Sequence, residues 1–362
     1  MTEAVSTQER GTGPTTASLF EPLRLRDLEV SNRLWLSPMC QHSAVDGIVN
    51  DWHLAHLGDR ASGGWGLLFT EATAVSARGR ISPGDAGIWT DAQQRAWSRV
   101  VDFVHARGTP IALQLAHAGR KASLPAPWSP RTDALMPDEG GWVPLSVTDV
   151  PFPGSAVPEA ASAADLASVV ADFAAAARRG VDAGFDAIEI LAGHGFLIHS
   201  FLSPLTNTRR DECRDGVLLL REIVRGIRTQ IPRTMPLLVR LSSTDWLDGG
   251  LTDADTARIA ERLLDLGVDL IDISSGGILP ADIPVGPGYQ VPGSETVREQ
   301  AGVPTSVAGL ITDPGQAARI VGEGHADAVK IGRAALRDPC FAHRAAHALR
   351  EETRWQPQYT RG

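Results

Sequence analysis

Hydrophobic and polar positions in this chain alternate between two periods. Short, mostly apolar runs suited to buried strands fall at Leu34–Met39, Gly66–Val75, Pro110–Ala116, Asp186–Leu191, Pro236–Ser242, Asp269–Ser274, Pro304–Ala308 and Asp327–Gly332. Segments of helical period separate them. Thr90 with Gln93 makes a capping box, Trp97, Val100, Val101 and Val104 follow on one face, and Gly108 stops the helix. Ser162 with Asp165 opens a second helix, whose stripe is Leu166, Val169, Val170 and Phe173 and whose stop is Gly184. Thr252 opens another that runs through Ile259, Leu263 and Leu264 to Gly267, and Thr312-Asp313-Pro314 opens the next. Eight strand-helix units favour an α/β fold closed as a (β/α)8 TIM barrel over an open doubly wound sheet.

Two stretches lack this rhythm. Residues 1–18 are rich in Thr, Ser, Glu and Gly with almost nothing to bury, and read as a disordered N-terminal tail, leaving 19–362 as a single domain. Ala122 to about Pro158 is a Pro-, Ser- and Gly-rich excursion after strand three that carries Trp128 and Trp142. The formal charge of −9 argues against a nucleic-acid partner, and no apolar run is long enough to cross a bilayer. Three scattered cysteines and no secretory pattern at the N-terminus suit a reducing cytoplasm.

In such a barrel, chemistry sits where strands hand over to the following loops. Those positions hold Ser37-Pro38-Met39-Cys40, Thr70-Glu71-Ala72, Gln114 to His117, Leu191 to His194, Arg240 to Ser242, Ser274 to Gly277, Ala308-Gly309 and Ile331-Gly332-Arg333. Glycine turns after strands seven and eight suit a phosphate held by backbone N–H groups, with Arg333 adding positive charge. Arg240, set among Leu237, Leu238 and Val239, requires an anion: either a cofactor or a salt bridge with an acid such as Glu71 or Glu189. His53 and His56 at helical spacing lack a third ligand and suit cap or core roles, so no metal is expected. His199 suits a structural role, and solvation alone would account for His117 and Lys121.

Ser37-Pro38-Met39-Cys40, Gln114 to Lys121, His194-Gly195, Leu197-Ile198-His199, Phe201 to Pro204, Pro287 to Gln290 and Ile331-Gly332-Arg333 resemble the old yellow enzyme family, in its thermophilic-like class. The blocks follow family order from about Leu19 to Gly362. The resemblance implies FMN as cofactor, NAD(P)H as electron donor, and hydride transfer from flavin N5 to the activated C=C of a small-molecule substrate. It places Pro38, Met39, Cys40, Ala72 and Gln114 around the isoalloxazine ring, His117 and Lys121 beside the flavin edge, and Arg240 at the N1–C2 edge, where the reduced ring is anionic. Gly309, Gly332 and Arg333 would hold the phosphate, with Ser37, Ser275 and Gly276 as further cofactor contacts. Arg361, in a tail matching one that reaches a neighbouring subunit, implies a homodimer or homotetramer.

The likeness breaks at the substrate. The family has His-x-x-His/Asn-Gly-Tyr where this chain has Leu191, His194 and Phe196, so one carbonyl-gripping donor and the proton-donating phenol are absent. His42 also stands where the class usually has tyrosine, and the loop at Asp211–Gly216 is shorter. Three explanations compete. His42 supplies the missing proton; or the enzyme runs oxidatively on a specialised secondary metabolite with His194 as base; or flavin is bound and the substrate chemistry is vestigial. Outside flavin enzymology, a non-flavin phosphate-binding barrel or a scaffold remains open, although Lys330 inside strand eight and Lys121 in a loop do not suit a lyase.

Overall fold

The computed structural model describes residues 17–360. The barrel strands are β1 (Leu34–Leu36), β2 (Leu68–Phe69), β3 (Ile111–Ala116), β4 (Ala187–Ala192), β5 (Leu237–Ser242), β6 (Leu270–Ser274), β7 (Thr305–Val307) and β8 (Ala328–Ile331). All neighbours pair in parallel, β8 returns to β1, and a bridge between Trp35 and Leu67 joins β1 to the β2 strand and closes the ring. The outer helices are α1 (Asp51–Ala61), α2 (Asp91–His105), α3 (Ala163–Ala183), α4 (Val217–Gln230), α5 (Asp253–Leu264), α6 (Val291–Ala301), α7 (Pro314–Gly322) and α8 (Phe341–Leu349).

The expected strands are all present, though the second is interrupted. Beyond Phe69 the hydroxyls of Thr70 and Thr73 both donate to the Glu71 carbonyl at 2.9 Å, and Gln114 N donates to Thr70 Oγ1 instead of to backbone. Side chains have replaced the ladder, so the strand resumes only at Thr73–Ala74. The capping boxes read at Thr90 and Ser162 both form, the helix expected at Thr252 also starts with one, and Gly184 ends α3 at φ +95°. At the other end of the chain, Ala17 is buried and Ser18 Oγ donates to Glu351 Oε1 at 3.1 Å, so two residues assigned to the tail pack on the fold. The rest of that tail lies outside the described residues.

Strand alternation sorts the interior into layers. Outward positions such as Leu113, Ile190, Val239 and Ile273 join the helices in one large apolar core. Inward positions at the base, including Ala112, Ala187, Leu238, Leu270 and Ala328, form a second cluster with Trp35, Leu67 and Phe69. A hairpin of Leu23–Leu25 and Leu28–Val30 packs Leu25 and Val30 into that cluster and plugs the barrel from below. The excursion after β3 stays irregular, apart from a 3-10 turn at Pro137–Glu139 and the short pair Leu145–Ser146 with Glu159–Ala160.

Replacing the α2 N-cap by Thr90→Ala removes the acceptor of the Gln93 N–H and should cost about 1 kcal/mol. Urea unfolding should show a lower midpoint with an unchanged slope.

Candidate active site

Above the apolar base, the next inward positions are polar on six strands. They bring together Gln114, Glu189, Arg240, Asp272, Ser306 and Lys330, all nearly or fully buried. Register aligns Gln114 with Glu189 and Arg240 with Asp272. Lys330 Nζ lies 2.6 Å from Glu189 Oε2 and 2.9 Å from Asp272 Oδ2, and 3.5 Å from the centre of the Phe69 ring. Gln114 Nε2 donates to Glu189 Oε1 at 2.7 Å, and Ser306 Oγ to Asp272 Oδ1 at 2.8 Å. Burial raises the Glu189 carboxyl above its ordinary range, with Lys330 and Arg240 opposing the rise.

Arg240 is therefore not a lone charge. Its Nε is 3.1 Å from Asp272 Oδ2, and neither Glu71 nor Glu189 is its ion-pair partner. That contact is not aligned as a hydrogen bond, so the buried Nε of Arg240 has no hydrogen-bond partner among the described residues. Arg240 and Lys330 instead line a cavity of about 230 Å³ at the barrel mouth, together with Ser37, Met39, Gly309, Gly332 and Arg333. Gly309 sits at φ +133°, and Gly332 precedes a short helix at Arg333–Arg337. A guanidinium, an ammonium and backbone turns lining one cavity fit an anionic, phosphate-bearing ligand.

Ser275 and Gly276 do not line this cavity. Their turn buttresses His194 instead: Ser242 Oγ donates to Gly276 O at 2.9 Å and accepts from His194 N at 2.9 Å, while Ser274 Oγ and His194 Nε2 share a hydrogen bond of 2.5 Å. His194 has φ +58°, and Gly195 beside it has φ +75°. A Cβ on Gly195 would meet Gly277 O at 2.1 Å, and one on Gly277 would meet His194 Cα at 2.7 Å, so the two loops touch backbone to backbone. Lys121 fastens them: its Nζ donates to His194 O at 2.7 Å and Gly277 O at 2.5 Å. It is not a solvated edge residue, and burial with Arg120 nearby pulls it down to about 8. Burial, then the charges of Arg240 and Lys121, hold the His194 imidazole well below its ordinary value, so it is neutral at pH 7.

The remaining expected residues gather across the mouth. Ala72, Ala116 and Leu191 form a small apolar cluster with Cys40 and Phe196 packed against it. Burial, aided by Asp85 and Glu71, raises the Cys40 thiol well above its usual range and keeps it protonated. His42, at φ +45°, places Nδ1 2.8 Å from both Asp85 Oδ1 and Ser82 Oγ, and Trp128 of the excursion meets its ring edge-on at 5.7 Å. Serine and aspartate share one ring nitrogen, so the trio is not a nucleophile relay. Burial disfavours the imidazolium of His42, but the Asp85 hydrogen bond and the charges of Asp85 and Glu71 outweigh it and raise the pKa. Asp85 and Asp272 were not singled out by sequence, and Lys330 was weighed only as a candidate lyase lysine. His53 accepts from Asn50 N and faces Glu71 Oε1 at 3.1 Å as a cap and core residue, and His199 accepts from Gly195 N. Arg361 lies outside the described residues.

The profile of the NADH:flavin oxidoreductase / NADH oxidase family matches residues 18–352. NADPH dehydrogenase of Listeria welshimeri is 42% identical over 351 residues, covering 95% of this chain and 99% of that protein. NADPH dehydrogenase of Bacillus subtilis is 42% identical over 350 residues, covering 95% and 98%. Among solved structures, morphinone reductase superposes with a TM-score of 0.78 at 26% identity, covering 96% of this chain and 94% of that one. The chain belongs to the NADH:flavin oxidoreductase / NADH oxidase family, and within it to the old yellow enzyme type. It is an FMN-dependent NAD(P)H oxidoreductase.

Near this site, His117 is buried, not solvated. Its Nδ1 accepts from Gly119 N at 3.1 Å, and burial with Arg78 lowers its pKa to about 3. The folded value lies below the unfolded one, so below about pH 6.5 the unfolded chain takes up a proton that the folded chain refuses, and stability falls on acidification. Between pH 7 and pH 5 this group should remove about 2 kcal/mol. His117→Asn, which keeps an acceptor near Gly119, should lose that part of the pH dependence in urea titrations.

Proposed function

We propose that the enzyme reduces a C=C bond conjugated to a carbonyl, with His42 supplying the proton that a tyrosine supplies in its relatives. Bound FMN provides the hydride chemistry, accepting from NAD(P)H and donating to the β-carbon of the acceptor. Gly309, Gly332 and Arg333 would hold its phosphate; Ser37, Pro38, Met39, Cys40, Ala72, Gln114 and Arg240 would surround its ring. Arg240 contributes positive charge where the reduced ring is anionic.

The substrate carbonyl would meet a sparse set of polar groups. His194, neutral and braced by Ser242, Ser274 and Lys121, offers an N–H donor with little reorganisation. Leu191 and Phe196 offer only apolar contact and exclude water from the developing enolate. The observation that carries the reading is the 2.8 Å contact of His42 with buried Asp85, which favours a protonated imidazole two residues from Cys40. Oxidative chemistry with His194 as base is disfavoured, because a strongly depressed pKa makes that imidazole a poor proton acceptor.

His42→Phe should slow reoxidation of the flavin by an enone on the order of a hundred-fold, while NADPH reduces the flavin at the wild-type rate. Stopped-flow measurement of each half-reaction separates the two, and full enone turnover in that variant would end the proposal. Because the folded pKa of His42 is raised, the proton-donating form is lost as pH rises through that value. Asp85→Asn should move this falling limb of the rate profile to lower pH.

A further inference from the structure

Lys330 sits at the centre of the buried polar layer with no exposed side-chain surface, between Glu189 and Asp272 and over the face of Phe69. Its own contacts satisfy it, yet it also lines the mouth cavity beside Arg240. Asp272 Oδ2 is shared: Lys330 Nζ approaches it at 2.9 Å and Arg240 Nε at 3.1 Å, and neither contact is aligned as a hydrogen bond. The layer thus sets two cations against two carboxylates. Without the lysine, Asp272 would have Arg240 as its one cation, and the layer would carry a net negative charge beneath the cavity.

We propose that Lys330 is a positioning residue for the flavin site: it takes up Asp272 and Glu189 so that the charge of Arg240 stays available to the reduced, anionic ring. The inference rests on the placement of that ring beside Arg240 given above. A hydride brings two electrons and one proton, so reduction leaves the ring one negative charge richer, and a buried cation nearby favours the reduced form. Since burial already raises Glu189, removing the lysine alone lets this carboxyl take up a proton and mask the loss. The clean comparison is therefore made in a Glu189→Gln background, where no such compensation exists.

The measurement is the two-electron midpoint potential of the FMN holoenzyme. Adding Lys330→Met to Glu189→Gln should lower the ratio of affinities for reduced over oxidised FMN by roughly tenfold, about 30 mV for a two-electron couple. Lys330→Arg in the same background should restore most of the ratio. The single Lys330→Met variant should show the drop at pH 8.5 and lose it on acidification as Glu189 protonates, and it carries the test if the double variant does not retain FMN. Equal potentials with and without the lysine, alongside a lower melting temperature, would make it a structural brace and overturn the proposal. Arg240→Met is the control. If that change also leaves the potential unmoved, the placement of the ring is what fails.

Discussion

A closed barrel with a charged layer across its middle has to keep those charges from demanding water. Here the demand is met by pairing across strands: Glu189 with Lys330, Lys330 with Asp272, Asp272 with Arg240, and the neutral Gln114 and Ser306 at the ends. Each ion would be costly to bury singly, and the arrangement depends on all of them being present together. Apolar side chains and the plugging hairpin lie beneath this layer, and the mouth cavity opens above it. The site is thus built on a floor whose geometry is set by strand register rather than by loops.

From that floor the mouth divides into two functional sides. On the β7–β8 side, glycine turns leave backbone accessible around the cavity. On the β4–β6 side, His194 is held by Ser242, Ser274 and Lys121, so its orientation is fixed before any ligand arrives. The two histidines sit in opposite settings. Burial, reinforced by nearby cations, presses His194 toward neutrality, whereas Asp85 and Glu71 outweigh burial and press His42 toward charge. Imidazoles driven apart in this way differ in what chemistry they suit: a neutral ring suits hydrogen-bond donation, a charged one proton donation.

The eight strands were legible in sequence because buried parallel strands are short apolar runs, and two helix starts because Thr90 and Ser162 each carry an amide or acid three residues on. The identity of the charge partners was not. Arg240 and Asp272 lie in different apolar runs, and only the register of the closed barrel sets them side by side. A signal was nonetheless present, since Gln114, Glu189, Arg240, Asp272 and Lys330 all occupy the inward phase of their strands. Aligning the runs by their C-terminal ends would have gathered them. Asp85 offered no comparable signal, because an irregular loop has no periodicity to place it beside His42. The interruption of the second strand turns on two threonine hydroxyls competing with backbone, which composition alone does not reveal.

The backbone contact between Gly195 and Gly277 has a consequence for how this site can change. Any β-carbon at either position meets main-chain atoms of the opposite loop, which cannot swing aside as a side chain can. Variation at this mouth is thereby channelled into the neighbouring Leu191 and Phe196, whose side chains meet other side chains. A randomised library would find those two permissive and the glycines between and opposite them nearly invariant, and a lineage of such enzymes would diverge along the same lines.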